Sequence, residues 1–326
     1  METPLVYYSP NTRENVTDQE ILDFIQKYKI GKCIIPETCF HRVFEIAKLL
    51  HTQNIQTYAI PNIEIVRQSE VELHRYFTWI LSNNALCTNL FLARGFTNVK
   101  QIGFHWKMDK HEKIDKMEKI DPLDHTRTRF LCLGGMNAFT RKQVFEVCQA
   151  FEKASHTNPS IHLTVTIQGL SDKKTDFYKK FQNIPNLVIL SKHLSYQEIM
   201  DLYKKTHVTI QVSRHEGLGL GFYESLGMGV PVLCLDVPPH NEIITDGKNG
   251  WTIPADMVPM TDNTESIMLS AEFQVSDLAK KMFDISERPF EYKEMAKRCK
   301  VEYPKGHHAL CRNSWLRCCE KFRFMY

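Results

Sequence analysis

The sequence predicts an α/β protein with two domains, each built on a doubly wound parallel sheet. Short apolar strands alternate with amphipathic helices along most of the chain, a pattern typical of parallel sheets covered on both faces. The chain has 326 residues, and at about 150 residues per domain this length favours two domains. Residues 107–125 are dense in alternating charge and poor in apolar side chains, which indicates a solvated connection between them.

Each element is assigned from apolar runs and helical periodicity. In the first third, the predicted strands are 5–8, 32–35, 56–60 and 99–102, and the predicted helices are 18–28, 42–52 and 85–94. After residue 129, the predicted strands are 130–133, 161–167, 187–190, 208–212, 230–235 and 251–253, and the predicted helices are 141–153, 175–182, 196–205, 221–228 and 240–245.

These elements divide the chain into four predicted parts. A first Rossmann-like domain (1–107) is followed by the charged linker (108–125), a second Rossmann-like domain (126–300) and a basic C-terminal tail (301–326). Two such domains face each other across a cleft, and in open α/β sheets ligands bind at the carboxyl ends of the strands.

The composition excludes several classes of protein. The net charge is +3, with 24% charged and 43% hydrophobic residues, which is ordinary for a folded chain and excludes a disordered protein, a collagen and a strongly basic nucleic-acid binder. No apolar run approaches the roughly 18 residues of a membrane-spanning helix. The N-terminus shows no secretory signal, so the expected compartment is the cytoplasm.

The chain carries ten cysteines and no C-x-x-C pair. Several lie in apolar strand-like runs, so we expect reduced thiols that pack as small hydrophobic groups. A group of Cys311, Cys318 and Cys319 near His307 and His308 fits no known zinc spacing. We therefore expect no metal.

Glycine is concentrated in the second half, where a strand, a glycine-rich loop from Glu216 to Gly221 and a helix follow one another. Unpaired amides and the positive helix end make such a loop an anion site, here for a phosphate. The carboxylate of Glu224, inside the helix, suits a vicinal diol such as a ribose because it accepts two hydrogen bonds. The alternatives are a plain turn for the loop and a favourable helix–dipole charge for Glu224.

The same segment resembles a known family. The E-x7-E pair Glu216 and Glu224, the following G-V-P-V and an E-x4-G-x-x-G that begins at Glu242 resemble the donor domain of retaining GT-B glycosyltransferases of the family 4 type. The resemblance is tight over 208–254 and looser over 129–254. The first domain departs from the family because no glycine-rich loop precedes Gly134. This abbreviation resembles some enzymes encoded by large DNA viruses.

The resemblance implies roles for individual residues. Glu216 would lie against the donor sugar, Glu224 would bind the ribose hydroxyls, and the loop amides would hold the diphosphate. Arg141 and Lys142 resemble the family's Arg/Lys pair that neutralises the diphosphate; the alternative is a pair of exposed charges in the first turn of helix 141–153. The candidate catalytic residues are Glu216, Arg141, Lys142 and His41. The candidate donor-binding residues are Gly134, Gly135, Gly169, Lys192, His193, Gly217, Leu218, Gly219, Leu220, Gly221 and Glu224.

The first domain and the tail offer weaker signals. Polar residues after the strands of the first domain are acceptor candidates: Glu37, Asn62 and Glu64. His41 lies beside Phe40, and the alternative there is a packed or capping histidine. The tail resembles the final helix that GT-B proteins return to the first domain; a basic aromatic helix touching an anionic membrane is the alternative.

The function expected from the resemblance is transfer of a hexose, with retention, from a nucleotide-diphosphate sugar of the GDP-mannose or UDP-glucose type. The acceptor is a hydroxyl of a glycan or glycoprotein, and no nucleic acid partner is expected. No D-x-D pair is present in the sequence, so no metal cofactor is expected. The alternatives are a non-catalytic nucleotide-sugar-binding scaffold and another GT-B enzyme, such as a sugar-nucleotide epimerase or a phosphorylase.

Overall fold

The computed structural model of the protein describes residues 16–38, 42–104, 127–168 and 173–302. These residues form two compact units, the first extending to Gln101 and including Glu265–Ile267, the second containing the others. Each unit is built on a parallel sheet, so the predicted α/β fold with two parallel-sheet domains is confirmed. The predicted strand 5–8, the linker, His41, Gly169 and all but the first residues of the tail lie outside the described residues.

The first unit contains four parallel strands in the order β1-β2-β3-β4. Its elements are α1 (Asp18–Tyr28), β1 (Lys32–Pro36), α2 (Val43–Thr52), β2 (Gln56–Ile60), β3 (Trp79–Ser82), α3 (Ala85–Leu92) and β4 (Val99–Gln101). Helix α1 begins where the predicted helix does, because Thr17 and Glu20 form a capping box there. Strand β3 was not predicted from the sequence.

The second unit contains six parallel strands in the order β10-β9-β8-β5-β6-β7 and an antiparallel pair, β11-β12. Its first elements are β5 (Thr128–Leu133), α4 (Val144–Thr157), β6 (Ile161–Thr166), α5 (Lys173–Phe181), β7 (Leu187–Leu190), α6 (Tyr196–Lys204), β8 (Val208–Gln211) and α7 (Leu220–Gly227). The remaining elements are β9 (Val232–Leu235), α8 (His240–Ile243), β10 (Gly250–Ile253), β11 (Asp256–Pro259), β12 (Leu269–Glu272), α9 (Val275–Ser286) and α10 (Pro289–Glu302).

Apolar strands place this sheet in the core of the second unit. All four residues of β9 are buried, as expected for a parallel strand covered on both faces. Helices α4 and α9 pack with the sheet in one apolar cluster that includes Phe151, Leu163 and Met282.

The strand order of this unit marks one crevice at the edge of the sheet. Strand β5 comes first in the chain, β6 and β7 follow on one side of it, and β8 lies on the other. The order therefore reverses between β5 and β8. In doubly wound sheets the crevice outside the carboxyl ends of the two strands at such a reversal is the binding site.

One predicted helix boundary is wrong in a way that bears on this crevice. The helix predicted at 141–153 begins at Val144 instead, because Gln143 has a left-handed backbone with φ +51° that interrupts the helix before it. Arg141 and Lys142 therefore belong to the loop that follows β5.

The described cysteines are free thiols, and most of them are buried. Burial raises the pKa of Cys132 to about 12, so this thiol stays protonated at neutral pH. Within the described ranges, no three His, Cys, Asp or Glu side chains are grouped so that they could hold a metal ion. None of the helices in this part of the chain is both long and apolar enough to span a membrane.

Candidate functional site

The loop after β5 lies directly against the end of β6. Gly134 donates its N–H to the Thr166 carbonyl at 3.0 Å. A Cβ on Gly134 would lie 2.5 Å from that carbonyl oxygen and 2.6 Å from Cγ2 of Val144. Only glycine fits here, so the predicted importance of Gly134 has a packing cause independent of any ligand.

The loops after β5 and β8 are joined by hydrogen bonds. The Arg214 N–H donates to the Arg141 carbonyl at 2.8 Å, and the Gln143 side-chain amide donates to the Val212 carbonyl at 2.7 Å. The left-handed backbone of Gln143 lies at this junction. These bonds hold the Arg141–Lys142 loop against the segment that leads to Glu216.

Glu216, Arg141 and Lys142 meet at the carboxyl ends of β5 and β8. Glu216 is only 3% exposed, with Oε2 at 2.7 Å from Nη1 of Arg141 and Oε1 at 2.5 Å from Nζ of Lys142. Both cations are largely buried, with side chains 19% and 20% exposed. The alternative of two exposed charges in a first helical turn is therefore wrong, because the residues precede the helix and point at a buried carboxylate.

The two basic neighbours keep Glu216 ionised. Burial acts to raise the pKa of Glu216, but the adjacent Lys142 and Arg141 charges outweigh it and hold that pKa well below the usual range. Glu216 is therefore ionised at neutral pH, and it lies with its two basic partners at the crevice.

The glycine-rich loop opens helix α7 as predicted. Gly219 adopts φ +73° at the helix N-cap, a conformation that glycine tolerates without strain. The N-cap residue Gly219 has no side chain that could cap this helix end, and the first amides and positive dipole end of α7 suit an anion. The loop members Gly217, Leu218, Leu220 and Gly221 surround this helix start.

Glu224 lies one turn inside α7 and is half-buried. The Tyr203 hydroxyl on α6 donates a hydrogen bond of 3.2 Å to its Oε2. Burial raises the pKa of Glu224, and the hydrogen bond from Tyr203 opposes this effect. The sequence analysis did not identify Tyr203.

His240 is a second residue that the sequence analysis missed. It follows the carboxyl end of β9, is 0% exposed, and its ring lies 5.0 Å from that of Phe222. Both ring nitrogens are buried without a hydrogen-bond partner among the described residues. Burial lowers the pKa of His240 to about 4, so the ring is neutral at pH 7. Its position after a strand end was the only signal available in the sequence.

The structure adds less about the other residues predicted to bind the sugar donor. Lys192 and His193 follow β7 and are exposed. The Lys192 ammonium lies 2.5 Å from Oε1 of Glu198, so this side chain pairs with the first turn of α6. Gly135 follows Gly134 with φ +57°.

The acceptor candidates lie in the first unit. Glu37 follows β1, and Asn62 and Glu64 follow β2; because these strands are parallel neighbours, all three residues lie at the same edge of the sheet. Glu37 is exposed, whereas Asn62 and Glu64 are half-buried. Their roles stay predictions.

Part of the chain is similar to known proteins. Residues 113–268 match the family described as Glycosyl transferases group 1. The chain is 26% identical over 164 residues to the UDP-N-acetylglucosamine-peptide N-acetylglucosaminyltransferase GtfA subunit of Streptococcus agalactiae, which covers 48% of this chain and 31% of that protein. It is 23% identical over 133 residues to the GDP-mannose:cellobiosyl-diphosphopolyprenol alpha-mannosyltransferase of Xanthomonas campestris, covering 40% of this chain and 35% of that protein. These matches span about a third of each relative's length.

A solved structure resembles the whole chain. The crystal structure of a glycosyltransferase from Rickettsia africae has a TM-score of 0.70 at 11% identity and covers 100% of this chain and 85% of that one. At this identity the likeness concerns the fold. The fold class predicted from the sequence, GT-B, is confirmed by such neighbours.

Proposed function

We propose that the protein is a glycosyltransferase of the family 4 type that transfers a hexose from a nucleotide-diphosphate sugar to a hydroxyl of a glycan or glycoprotein, with retention. The observation that carries the proposal is the cluster of Glu216, Arg141 and Lys142 beside the N-terminus of α7, at the point where the strand order reverses. The match of residues 113–268 to the Glycosyl transferases group 1 family supports it.

The donor diphosphate binds where positive charge is concentrated. The amides at the start of α7 hold one phosphate, and Arg141 and Lys142 neutralise the charge that grows on the leaving group as the bond to the sugar breaks. Because these two cations are preorganised by Glu216, we propose that no metal is needed. Glu224 accepts hydrogen bonds from the ribose hydroxyls.

The transfer step needs no protein nucleophile. The bond between the sugar's anomeric carbon and the diphosphate oxygen breaks, and the acceptor oxygen bonds to that carbon on the same face. The departing phosphate oxygen takes the acceptor proton. Glu216, held ionised, lies against the sugar and stabilises the positive charge that develops on its ring.

The relatives indicate which donors to test first. One relative is named for UDP-N-acetylglucosamine and the other for GDP-mannose, so either base is a candidate for this chain. UDP-glucose and ADP-glucose complete the donor set.

Product analysis tests the proposal. The protein is incubated with each donor and a panel of soluble glycan acceptors in EDTA, and release of the nucleoside diphosphate and the anomeric configuration of the glycosidic product are followed by NMR. Release of UDP or GDP with an α-configured product from an α-linked donor supports retaining transfer. An inverted product contradicts retention. A free epimerised sugar nucleotide identifies the protein as an epimerase. Donor binding without any product identifies a non-catalytic scaffold.

A charge-removing variant tests the role of the cations. Lys142→Met should lower the rate of nucleoside diphosphate release by about a hundredfold. Lys280→Met, on the exposed face of α9, is the control and should leave this rate unchanged.

A further inference from the structure

We propose that Tyr203 is a positioning residue for nucleotide recognition: its hydroxyl holds the Glu224 carboxylate in the orientation that accepts both hydroxyls of a ribose. The inference deepens the proposed function and rests on it. The family resemblance does not include Tyr203. The observation that points to Tyr203 is the contact of 3.2 Å between its hydroxyl and Oε2 of Glu224.

The fold brings the two side chains together. Helix α6 connects β7 to β8 and α7 connects β8 to β9, and these strands are parallel. Both helices therefore begin at the carboxyl edge of the sheet, where the crevice lies. Tyr203 lies in the last turn of α6. Because side chains on a helix lean toward its N-terminus, its ring reaches back toward that edge, where its hydroxyl meets Glu224.

The backbone around Glu224 is fixed independently. Ser225, the next residue, bonds through its hydroxyl to Oγ1 of Thr209 at 2.7 Å and donates to the Val230 carbonyl at 2.8 Å. Helix α7 is thus tied to β8 and to the loop that follows the helix. What remains to be set is the rotamer of the Glu224 side chain, and the hydrogen bond from Tyr203 sets it.

Tyr203 itself cannot move. It is 0% exposed and packs in an apolar cluster with Leu131, Met200, Met228 and Val230. Burial raises the pKa of Tyr203 well above its usual value, and the Glu224 charge acts in the same direction. The hydroxyl therefore remains protonated, and available as a hydrogen-bond donor, at neutral pH.

A neutral hydrogen-bond donor is better suited than a cation to orient Glu224 for binding a ribose. The structure gives Glu224 no ion pair within the described ranges, in contrast to Glu216. An ionised carboxylate has about four acceptor sites; the phenol occupies one and leaves the charge in place. The remaining sites, on a carboxylate that is fixed and still negative, can accept both hydroxyls of a vicinal diol.

Tyr203→Phe tests the inference, because it removes only the hydroxyl and keeps the ring in its apolar cluster. UDP and GDP, each with its 2′,3′-dideoxy counterpart, are titrated calorimetrically into the wild type and the variant. For the base that the wild type binds, we expect the variant to bind the ribonucleotide about three- to tenfold more weakly, which corresponds to the net contribution of a typical hydrogen bond. Its affinity for the dideoxy nucleotide should change less than about twofold.

Two further variants make each outcome decisive. Tyr292→Phe removes another buried phenol of the same unit, stacked on His207 next to the first residues of β8, and should change neither affinity. Glu224→Ala should abolish the preference for the ribonucleotide over the dideoxy nucleotide.

The outcomes separate the inference from the proposed function. If Tyr203→Phe lowers the affinity for both nucleotides equally, or for neither, the inference is overturned. The proposed function still stands in that case if Glu224→Ala abolishes the preference for ribose. Failure of the wild type to bind any of the nucleotides overturns both.

Discussion

Glu216 engages both cations of the candidate donor site with its two carboxylate oxygens. A diphosphate that binds to Arg141 and Lys142 therefore competes with Glu216 for them. The carboxylate preorganises the cations when no donor is bound, and it weakens their hold on the diphosphate afterwards. A residue with both effects favours release of the product nucleotide.

This competition predicts the behaviour of Glu216→Gln. The amide has no charge, so Arg141 and Lys142 become more available, and affinity for UDP or GDP should rise about three- to tenfold. Turnover of the donor sugar should fall about a hundredfold or more, as expected for loss of a group that stabilises developing charge. Calorimetry measures the nucleotide affinity, and the rate of product release measures the turnover.

The matched control is Glu146→Gln, which changes a partly exposed carboxylate 3.5 Å from Arg214. Weaker nucleotide binding by Glu216→Gln would contradict the competition between Glu216 and the diphosphate.

At the scale of elements, the site depends on two loops that belong to different strands. The loop after β5 carries the cations and the loop after β8 carries the carboxylate, and backbone and side-chain hydrogen bonds join them. The loop after β5 also packs against the end of β6 at Gly134. Its conformation is thus set by three neighbouring strands.

Gly134→Ala tests this packing. A Cβ there would meet the Thr166 carbonyl at 2.5 Å, so we expect a loss of about 3 kcal/mol in the free energy of unfolding and weaker nucleotide binding. Gly135→Ala is the control, because a Cβ at that position meets nothing within 4 Å; its φ of +57° should cost only about 1 kcal/mol. Urea unfolding gives both numbers, and equal costs for the two variants would refute the packing argument.

At the scale of the whole molecule, each unit contains a buried neutral histidine. His74 in the first unit and His240 in the second both have a pKa lowered to about 4, in each case mainly by burial. Unfolding returns each ring to water and to a pKa of about 6.5. Between these values the unfolded chain binds more protons than the folded one, so stability decreases as the pH falls from about 6.5 toward 4.

We therefore expect acid to destabilise the protein by up to about 3 kcal/mol for each histidine. The measurement is the urea midpoint at pH 7.5, 6.0, 5.0 and 4.5. His240→Gln, a neutral side chain that does not titrate, should flatten this dependence, with the difference from wild type appearing only below about pH 6.5. A variant whose pH dependence equals that of the wild type would show that His240 is not held neutral by the fold.

The sequence predicted the central sheet of the second unit well because its strands are apolar runs or alternate apolar with polar residues. Strand β7 was predicted with its exact bounds, and β8 and β9 within two residues. Strand β3 and the pair β11-β12 were missed, because their sequences have no clear apolar alternation.

The residues of the candidate site were predictable from a local sequence pattern or, for Arg141 and Lys142, from the family resemblance, but their contacts were not. The local signal is a glycine-rich loop before a helix, which is typical of an anion site. This segment contains Glu216, Gly219 and Glu224. The ion pair of Lys142 with Glu216 joins residues 74 positions apart, and no local pattern contains such a pairing. Tyr203 likewise reaches Glu224 from another helix, so only the folded chain brings them together.

The most direct test of the central claim is a calorimetric titration of the metal-free protein in EDTA against GDP-mannose, UDP-glucose, UDP-N-acetylglucosamine and ADP-glucose, with Lys142→Met alongside. The cation cluster beside α7 predicts that one donor binds in the micromolar range and that the variant binds it about tenfold or more weakly. Absence of binding for all four donors, or equal affinity of wild type and Lys142→Met, would contradict a nucleotide-sugar site at this position.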